Sequence, residues 1–368
     1  MDQVWLDASA LARIETPAVV VDLDRVEANI ARMTAAIGER GVALRPHAKT
    51  HKSLEFGRRQ LAAGATGLTV ATIGEAEVFA DGGVDDLFVA YPIIAAGTKA
   101  ERLRRLAERC SLSVGVDSVT GAESVASAVR GATRQPRVVV EVDCGGRRSG
   151  AHPSEAGALA RHCQGLGLEV TGVFTHGGHG YAGSTARAGA ADDEVSGLAT
   201  AADSLRAEGI EPRVVSAGST PTAALSARGP VTEERPGSYI FGDRQQAALA
   251  GQPLDAIALA VATTVVSHGT EGGFIIDAGA KILGKDVAPY LSGHGAVLGH
   301  GEPVVARVFD HHGVIEVVDG GSRPAIGAIV WVIPNHVCPV VNLVDEYVVA
   351  RDGRLVDRWP VDARGRNS

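Results

Sequence analysis

The sequence predicts an α/β fold, a (β/α)8 TIM-like barrel followed by a C-terminal antiparallel β-domain. Three observations carry this expectation. Short β-branched runs alternate with helical patterns from about residue 43 to 243, and these runs number eight. After about residue 255 the rhythm changes to short strands separated by turn signals, with few helices.

The candidate barrel strands are VALRPHAKT (42–50), GLTVAT (67–72), DLFVAY (86–91), SLSVGVD (111–117), RVVVEVD (137–143), VTGVFTH (170–176), RVVSAGS (213–219) and GSYIFGD (237–243). Between them lie SLEFGRRQLAAG, EAEVFADGG, AERLRRLAERC and an Ala-rich segment near 187–209, several closing at Gly as helices often do. Eight parallel strands with intervening helices close most naturally into a barrel, and a doubly wound open sheet is the alternative the pattern leaves. The later segments AIALAVATTVVSH, GGFIIDAG, EPVVARVFDHHGVIEVV, AIGAIVWVIPNHV and DEYVVARDGRLVDRWPV read as antiparallel strands. A hinge near Gly251 to Pro253 divides the chain into 1–253, an N-terminal segment plus barrel, and 254–368, the β-domain.

Composition narrows the function classes. A chain of 368 residues exceeds one typical hydrophobic core, and 45% hydrophobic with 21% charged residues describes an ordinary folded protein. The net charge of −8 is interspersed, so no basic footprint for nucleic acid exists. No apolar run approaches the roughly 20 residues that cross a bilayer, which argues against a membrane partner. The opening MDQVWLDASALARIETP lacks signal-peptide regions, so a cytoplasmic location is expected. Cys110, Cys144, Cys163 and Cys338 are too scattered for a disulfide framework.

A catalytic barrel loads its chemistry at the C-terminal strand ends. Those ends carry His47 and Lys49, Thr72, Tyr91, Asp117, Asp143 with Arg148, His176 and His179, Ser219 and Thr220, and Asp243. Lys49 in RPHAKTHK is placed to aim an amine into the mouth, with Arg45, His47, His51 and Lys52 crowding it toward the neutral form a Schiff-base lysine needs. A lysine that snorkels to solvent is the competing reading. SAGSTPT (216–222) is a Gly-rich turn suited to a phosphate: Gly218 permits close approach, Ser219 and Thr220 offer hydroxyls, and Pro221 opens a helix. RPGSY (235–239) adds N–H groups at Gly237 and Ser238, although such a turn is equally an ordinary helix cap. His336 and Cys338 in WVIPNHVCPVVNL are two apart, which in an extended chain points both to one side. Imidazole plus thiolate suits zinc, with manganese or magnesium as alternatives, and the competing reading is a buried Cys beside an incidental His.

These motifs resemble the D-threonine aldolase and D-serine dehydratase group, relatives of alanine racemase among fold-type III pyridoxal phosphate enzymes. The carriers are TPAVVVDLDRVEANI, RPHAKTHK, the DxGxxRxG pattern from Asp143 to Gly150, THGGHGY (175–181), SAGSTPT, ERPGSYIFGD and PNHVCPVVNLVDE, spread over nearly the whole chain. The resemblance implies that Lys49 binds pyridoxal 5'-phosphate as a Schiff base, that Ser219, Thr220, Gly237 and Ser238 hold its phosphate, and that His336 with Cys338 binds a divalent metal. It places Arg235 near the pyridine nitrogen, with Tyr181 or Arg148 as alternatives. His176 and His179 become candidate acid or base groups. It also implies a homodimer with shared active sites.

The expected function is a pyridoxal phosphate- and metal-dependent lyase for D-configured β-hydroxy amino acids. Because dehydratase-like members of the group carry Cys at the second metal position and aldolase-like members tend to carry Asp, Cys338 favours D-serine dehydratase chemistry. D-threonine aldolase cleavage to glycine and an aldehyde is the alternative, followed by an amino-acid racemase.

Overall fold

Runs such as Val138, Val139 and Val140, almost without solvent exposure, belong to strands covered on both faces, and they form parallel strands. The computed structural model describes residues 5–269, 272–301, 303–317 and 323–368. Seven of the eight expected barrel strands are present, at Ala43–Leu44, Leu68–Val70, Asp86–Pro92, Ser111–Val116, Arg137–Glu141, Glu169–Phe174 and Val214–Ala217.

The eighth is not GSYIFGD. Ser238–Ile240 forms a 3-10 turn, and the strand that fills the gap is Glu233–Glu234, paired in parallel with Ala43–Leu44 on one side and Val214–Ala217 on the other. Two adjacent glutamates carry no strand signal, but both are buried with partners. Glu233 accepts from Ser216 and pairs with Arg45, each at 2.7 Å, and Glu234 accepts from Ser226 at 2.7 Å. Tertiary pairing here overrides propensity. The ring closes where His47 bridges Thr69, whose N–H donates to the Pro46 carbonyl at 2.8 Å. Phe88, Val139 and Phe174 fill the interior, the two rings meeting edge to face at 5.0 Å.

This barrel unit comprises Arg32–Lys49, Leu54–Gly237 and Gly365–Ser368. The second unit draws on Met1–Ala31, Thr50–Ser53 and Ser238–Arg364, so the division differs from a single boundary at Gly251–Pro253. The physical reason lies in the sheet. The N-terminal strand Ala18–Asp22 is inserted between Leu259–Ser267, its antiparallel neighbour, and Glu346–Arg351, its parallel one. That parallel pair departs from the all-antiparallel expectation. Ile329–Pro334 and the Glu346–Arg351/Arg354–Pro360 hairpin continue the sheet. The hairpin turns on Asp352 and Gly353, both at positive φ, as a two-residue type I′ turn demands. Trp5 packs with Val20, Ile257, Ala260 and Val348, stacks on Trp331 at 5.8 Å and receives the Arg25 guanidinium 4.6 Å above its ring. Of the strand run expected over 302–318, Glu302 and Val318 lie outside the described residues.

Candidate active site

Lys49 sits in the 3-10 turn Ala48–Thr50, just past the first barrel strand and at its C-terminal end. It is half-buried, and its backbone N–H donates to Nδ1 of His47 at 3.4 Å. The cationic crowd expected around it is dispersed. Arg45 points to the opposite end of the barrel, bonding Glu233 and Asp86 at 2.7 Å each. Lys52 donates to Asn342 at 2.8 Å within the β unit, and His51 accepts there from the Ser53 N–H at 3.1 Å.

The two Gly-rich turns of the barrel unit meet. The Gly237 N–H donates to Thr220 Oγ1 at 3.2 Å, and Ser219 shares a hydroxyl bond with Thr222 at 2.9 Å. Gly218 has φ +116, and a Cβ there would stand 2.4 Å from Glu234 Oε2 and 2.7 Å from the Arg235 nitrogen, so only Gly lets the turn lie this close to the last strand. The Gly218 N–H, however, turns inward to Glu194 at 3.0 Å, which leaves phosphate contact to the groups that follow it. Pro221 precedes a helix of only one turn, Ala223–Ser226.

A cavity of about 240 Å³ opens at the ends of the fifth and sixth barrel strands, lined by Glu141, Asp143, Arg148, Thr175, His176 and Tyr181. His176 Nδ1 lies 3.1 Å from the Gly218 carbonyl, which can only accept, so Nδ1 carries the proton and Nε2 is an acceptor. Desolvation, then the charges of Lys49 and Arg148, push His176 down to about 3, so the ring is neutral. Glu141 accepts from Ser149 at 3.0 Å, while its buried Oε2 has no partner, an unsatisfied acceptor in the cavity wall. Such an orphan, a glycine cradle and a half-buried lysine fit a polar, phosphate-bearing aldehyde cofactor.

Two further candidates are held by bonds within the barrel unit. Arg235 is buried in the barrel interior, bonding Ser216 Oγ and the Thr175 carbonyl, with its guanidinium 5.2 Å from the Phe174 ring centre and 5.8 Å from that of Phe88. His179 is tied by Nε2 to Asp193 at 3.1 Å and packs over Gly145.

In the β unit, His336 and Cys338 come together by a route other than the extended chain expected. His336 is the extended N-cap of the helix Val337–Asn342, and Cys338 lies in its first turn. One ring nitrogen bonds the Cys338 side chain, and Nδ1 donates to Asp286 Oδ2 at 2.6 Å. Burial works to lower the His336 pKa, but the Cys338 charge and the Asp286 bond prevail and lift it to about 11. That bond holds Asp286 below the usual carboxylate range. Thr50 Oγ1 approaches Cys338 Sγ at 3.3 Å. An imidazole oriented by a carboxylate and facing a thiol is a fitting half-shell for zinc. Among the described residues no cluster of three or more His, Cys, Asp or Glu groups could hold a metal.

Sequence reasoning passed over Glu194 and Asp286, which lie in stretches without motif character, and over Glu141, which it read only as part of the strand RVVVEVD (137–143). It also read Asp243 as a strand-end polar residue, whereas this fully buried carboxylate caps two helices, accepting from Gln246 at 2.8 Å and Val337 at 3.0 Å. Burial raises Cys110 and Cys163 to about 11 and Cys144 to about 12, so these free thiols are unreactive.

The alanine racemase N-terminal domain matches residues 21–245, and a putative serine dehydratase domain matches 258–350. The chain is 35% identical to D-threo-3-hydroxyaspartate dehydratase of Delftia sp. (strain HT23), over 95% of this chain and 97% of that protein. It is equally 35% identical to D-threonine aldolase of Arthrobacter sp, over 96% and 94%. The crystal structure of D-threonine aldolase from Filomicrobium marinum superposes with a TM-score of 0.88 at 31% identity, covering 96% of each chain. With these matches spanning both units, the chain belongs to the D-threonine aldolase and D-serine dehydratase family of alanine-racemase-like, fold-type III pyridoxal phosphate lyases.

Proposed function

We propose that the protein dehydrates D-configured β-hydroxy amino acids of the D-serine type, releasing a keto acid and ammonia. The observation that carries this choice is the partnership of His336 with a cysteine, Cys338, rather than with an aspartate. Lys49 would hold pyridoxal phosphate, which would supply an electron sink for charge at the substrate Cα. His336 and Cys338 would hold zinc, or manganese or magnesium in its place, which would supply Lewis acidity for loss of the β-hydroxyl.

The chain's own residues do the rest. Lys49 Nζ takes the Cα proton. Ser219, Thr220, Gly237 and Ser238 hold the phosphate, with Gly218 shaping the turn and His47 fixing the Lys49 backbone. His176, neutral, accepts hydrogen bonds at the cavity wall through Nε2, and Tyr181 lines the same wall. Arg148, 61% exposed at its side chain and 3.7 Å from Glu141, is placed to receive a carboxylate entering from solvent. His179 acts through the turn it anchors to Asp193. The reading includes a homodimer with shared active sites, as the family resemblance implies, and a cytoplasmic location, as the opening residues lead one to expect.

A second reading, retro-aldol cleavage, is supported by the 35% identity to the Arthrobacter aldolase, the same as that to the Delftia dehydratase. One experiment separates the two. The loaded enzyme is given D-serine, D-threonine and D-threo-3-hydroxyaspartate separately, and products are identified. Keto acid plus ammonia is the expected result; glycine plus an aldehyde assigns the aldolase. Interconversion of alanine enantiomers that survives chelation would sink both.

A further inference from the structure

We propose that Glu194 is a positioning residue for the cofactor phosphate, locking the two glycine turns of the barrel mouth into one arrangement. The inference rests on the cofactor reading of Lys49 and the SAGSTPT turn. Glu194 projects from the long helix Ala186–Ala207 and is fully buried. A single oxygen, Oε1, accepts the N–H of Gly177 at 2.9 Å and the N–H of Gly218 at 3.0 Å. One side chain thus grips both the THGGHGY turn and the phosphate turn.

Both glycines are cut to fit this grip. A Cβ on Gly177 would stand 2.6 Å from Glu194 Cδ, and one on Gly218 would meet Glu234 Oε2 at 2.4 Å. The Gly218 peptide is held from both sides, because its carbonyl accepts from His176 Nδ1 while its N–H donates to Glu194. Any shift of Gly218 therefore displaces Ser219 and the His176 ring together. The remaining oxygens, Glu194 Oε2 and Glu234 Oε2, are buried without partners. Burial raises the pKa of both carboxyls, and the nearby Glu194 charge raises that of Glu234 further.

Neighbouring residues on the same helix show a division of labour. Asp192 pairs with Arg228 and Asp193 with His179, both at exposed positions, whereas Glu194 alone among the three reaches backbone N–H groups of the candidate site. Hydrogen bonds to a charged group are the stronger kind, and two from one buried carboxylate make its removal costly to geometry.

The test measures cofactor affinity, not turnover. Apoprotein is titrated with pyridoxal 5'-phosphate and, in parallel, with phosphate-free pyridoxal, following the visible absorbance of the lysine-bound aldehyde. Glu194→Ala is expected to weaken pyridoxal phosphate about tenfold or more, as the loss of one to two such bonds implies, and pyridoxal less than about twofold. Glu194→Gln keeps an acceptor oxygen and should stay within about threefold of wild type. Should the alanine variant fail to fold, Glu194→Asp, whose carboxylate is withdrawn by one methylene, should show the same phosphate-selective loss. Equal weakening of both aldehydes, or unchanged pyridoxal phosphate affinity, overturns the proposal. Wild-type protein that develops no absorbance with either aldehyde would instead overturn the cofactor reading beneath it.

Discussion

Lys49 and His176 lie within electrostatic reach of each other, and the histidine yields: desolvation first, then the Lys49 and Arg148 charges, drive it down to about 3. The unfolded chain protonates this ring near its ordinary value of 6.5 while the folded chain resists. Its contribution to stability is therefore complete above about pH 6.5 and lost progressively as pH falls toward 3, reaching roughly 2 to 3 kcal/mol by about pH 4.5. His176→Asn should flatten that acid limb, so its deficit against wild type in urea unfolding should shrink between about pH 7 and about pH 4.5. A constant deficit would contradict the assignment. Lys49 itself makes a simpler claim. Lys49→Ala should leave pyridoxal phosphate without a covalent anchor, and its characteristic visible absorbance should vanish from the purified protein. An unchanged spectrum moves the attachment point elsewhere.

At the scale of elements, short helices and turns are placed by single buried carboxylates. Asp243 caps both Arg244–Ala250 and Val337–Asn342, and the second of these carries His336 and Cys338 at its start. Each lost cap costs on the order of 1 to 2 kcal/mol, so Asp243→Ala should lower stability by roughly 2 to 4 kcal/mol. It should also reduce bound metal per chain, because the backbone beside His336 loses its anchor. Urea midpoints together with elemental analysis check both, and a stable variant with full metal content refutes the capping argument. Asn335 adds to the same arrangement by donating to the Asp286 carbonyl at 2.9 Å, which keeps Asp286 beside the imidazole it orients.

At the scale of the whole molecule, the β unit needs its N-terminal strand. Ala18–Asp22 contributes Val20 to a core shared with Ala260, Ile333 and Val348, and it supplies ladder partners to strands on both sides. A fragment covering 254–368 lacks this strand and should remain unfolded by circular dichroism, whereas addition of 5–31 is part of any folding unit. A cooperative melt from the fragment alone would contradict this. Alternating β-branched and helical runs, and the position of Lys49 and SAGSTPT after barrel strands, were legible in the amino-acid order because each is a local pattern with a local cause, whereas the helix start that brings His336 and Cys338 together was not. Glu233–Glu234 as the closing strand was illegible, since its acidic side chains become strand residues only when Arg45, Ser216 and Ser226 reach them. Glu194 was equally silent: within ADDEV it is one acid of three, and only the fold turns it toward two glycine N–H groups. By itself the sequence determined the kind of fold, the family and the residue types available for chemistry, because periodicity and turn chemistry act between near neighbours. Tertiary structure alone decided which carboxylates are buried, which loops they hold and where Arg235 points, because burial and charge pairing join residues far apart in the chain.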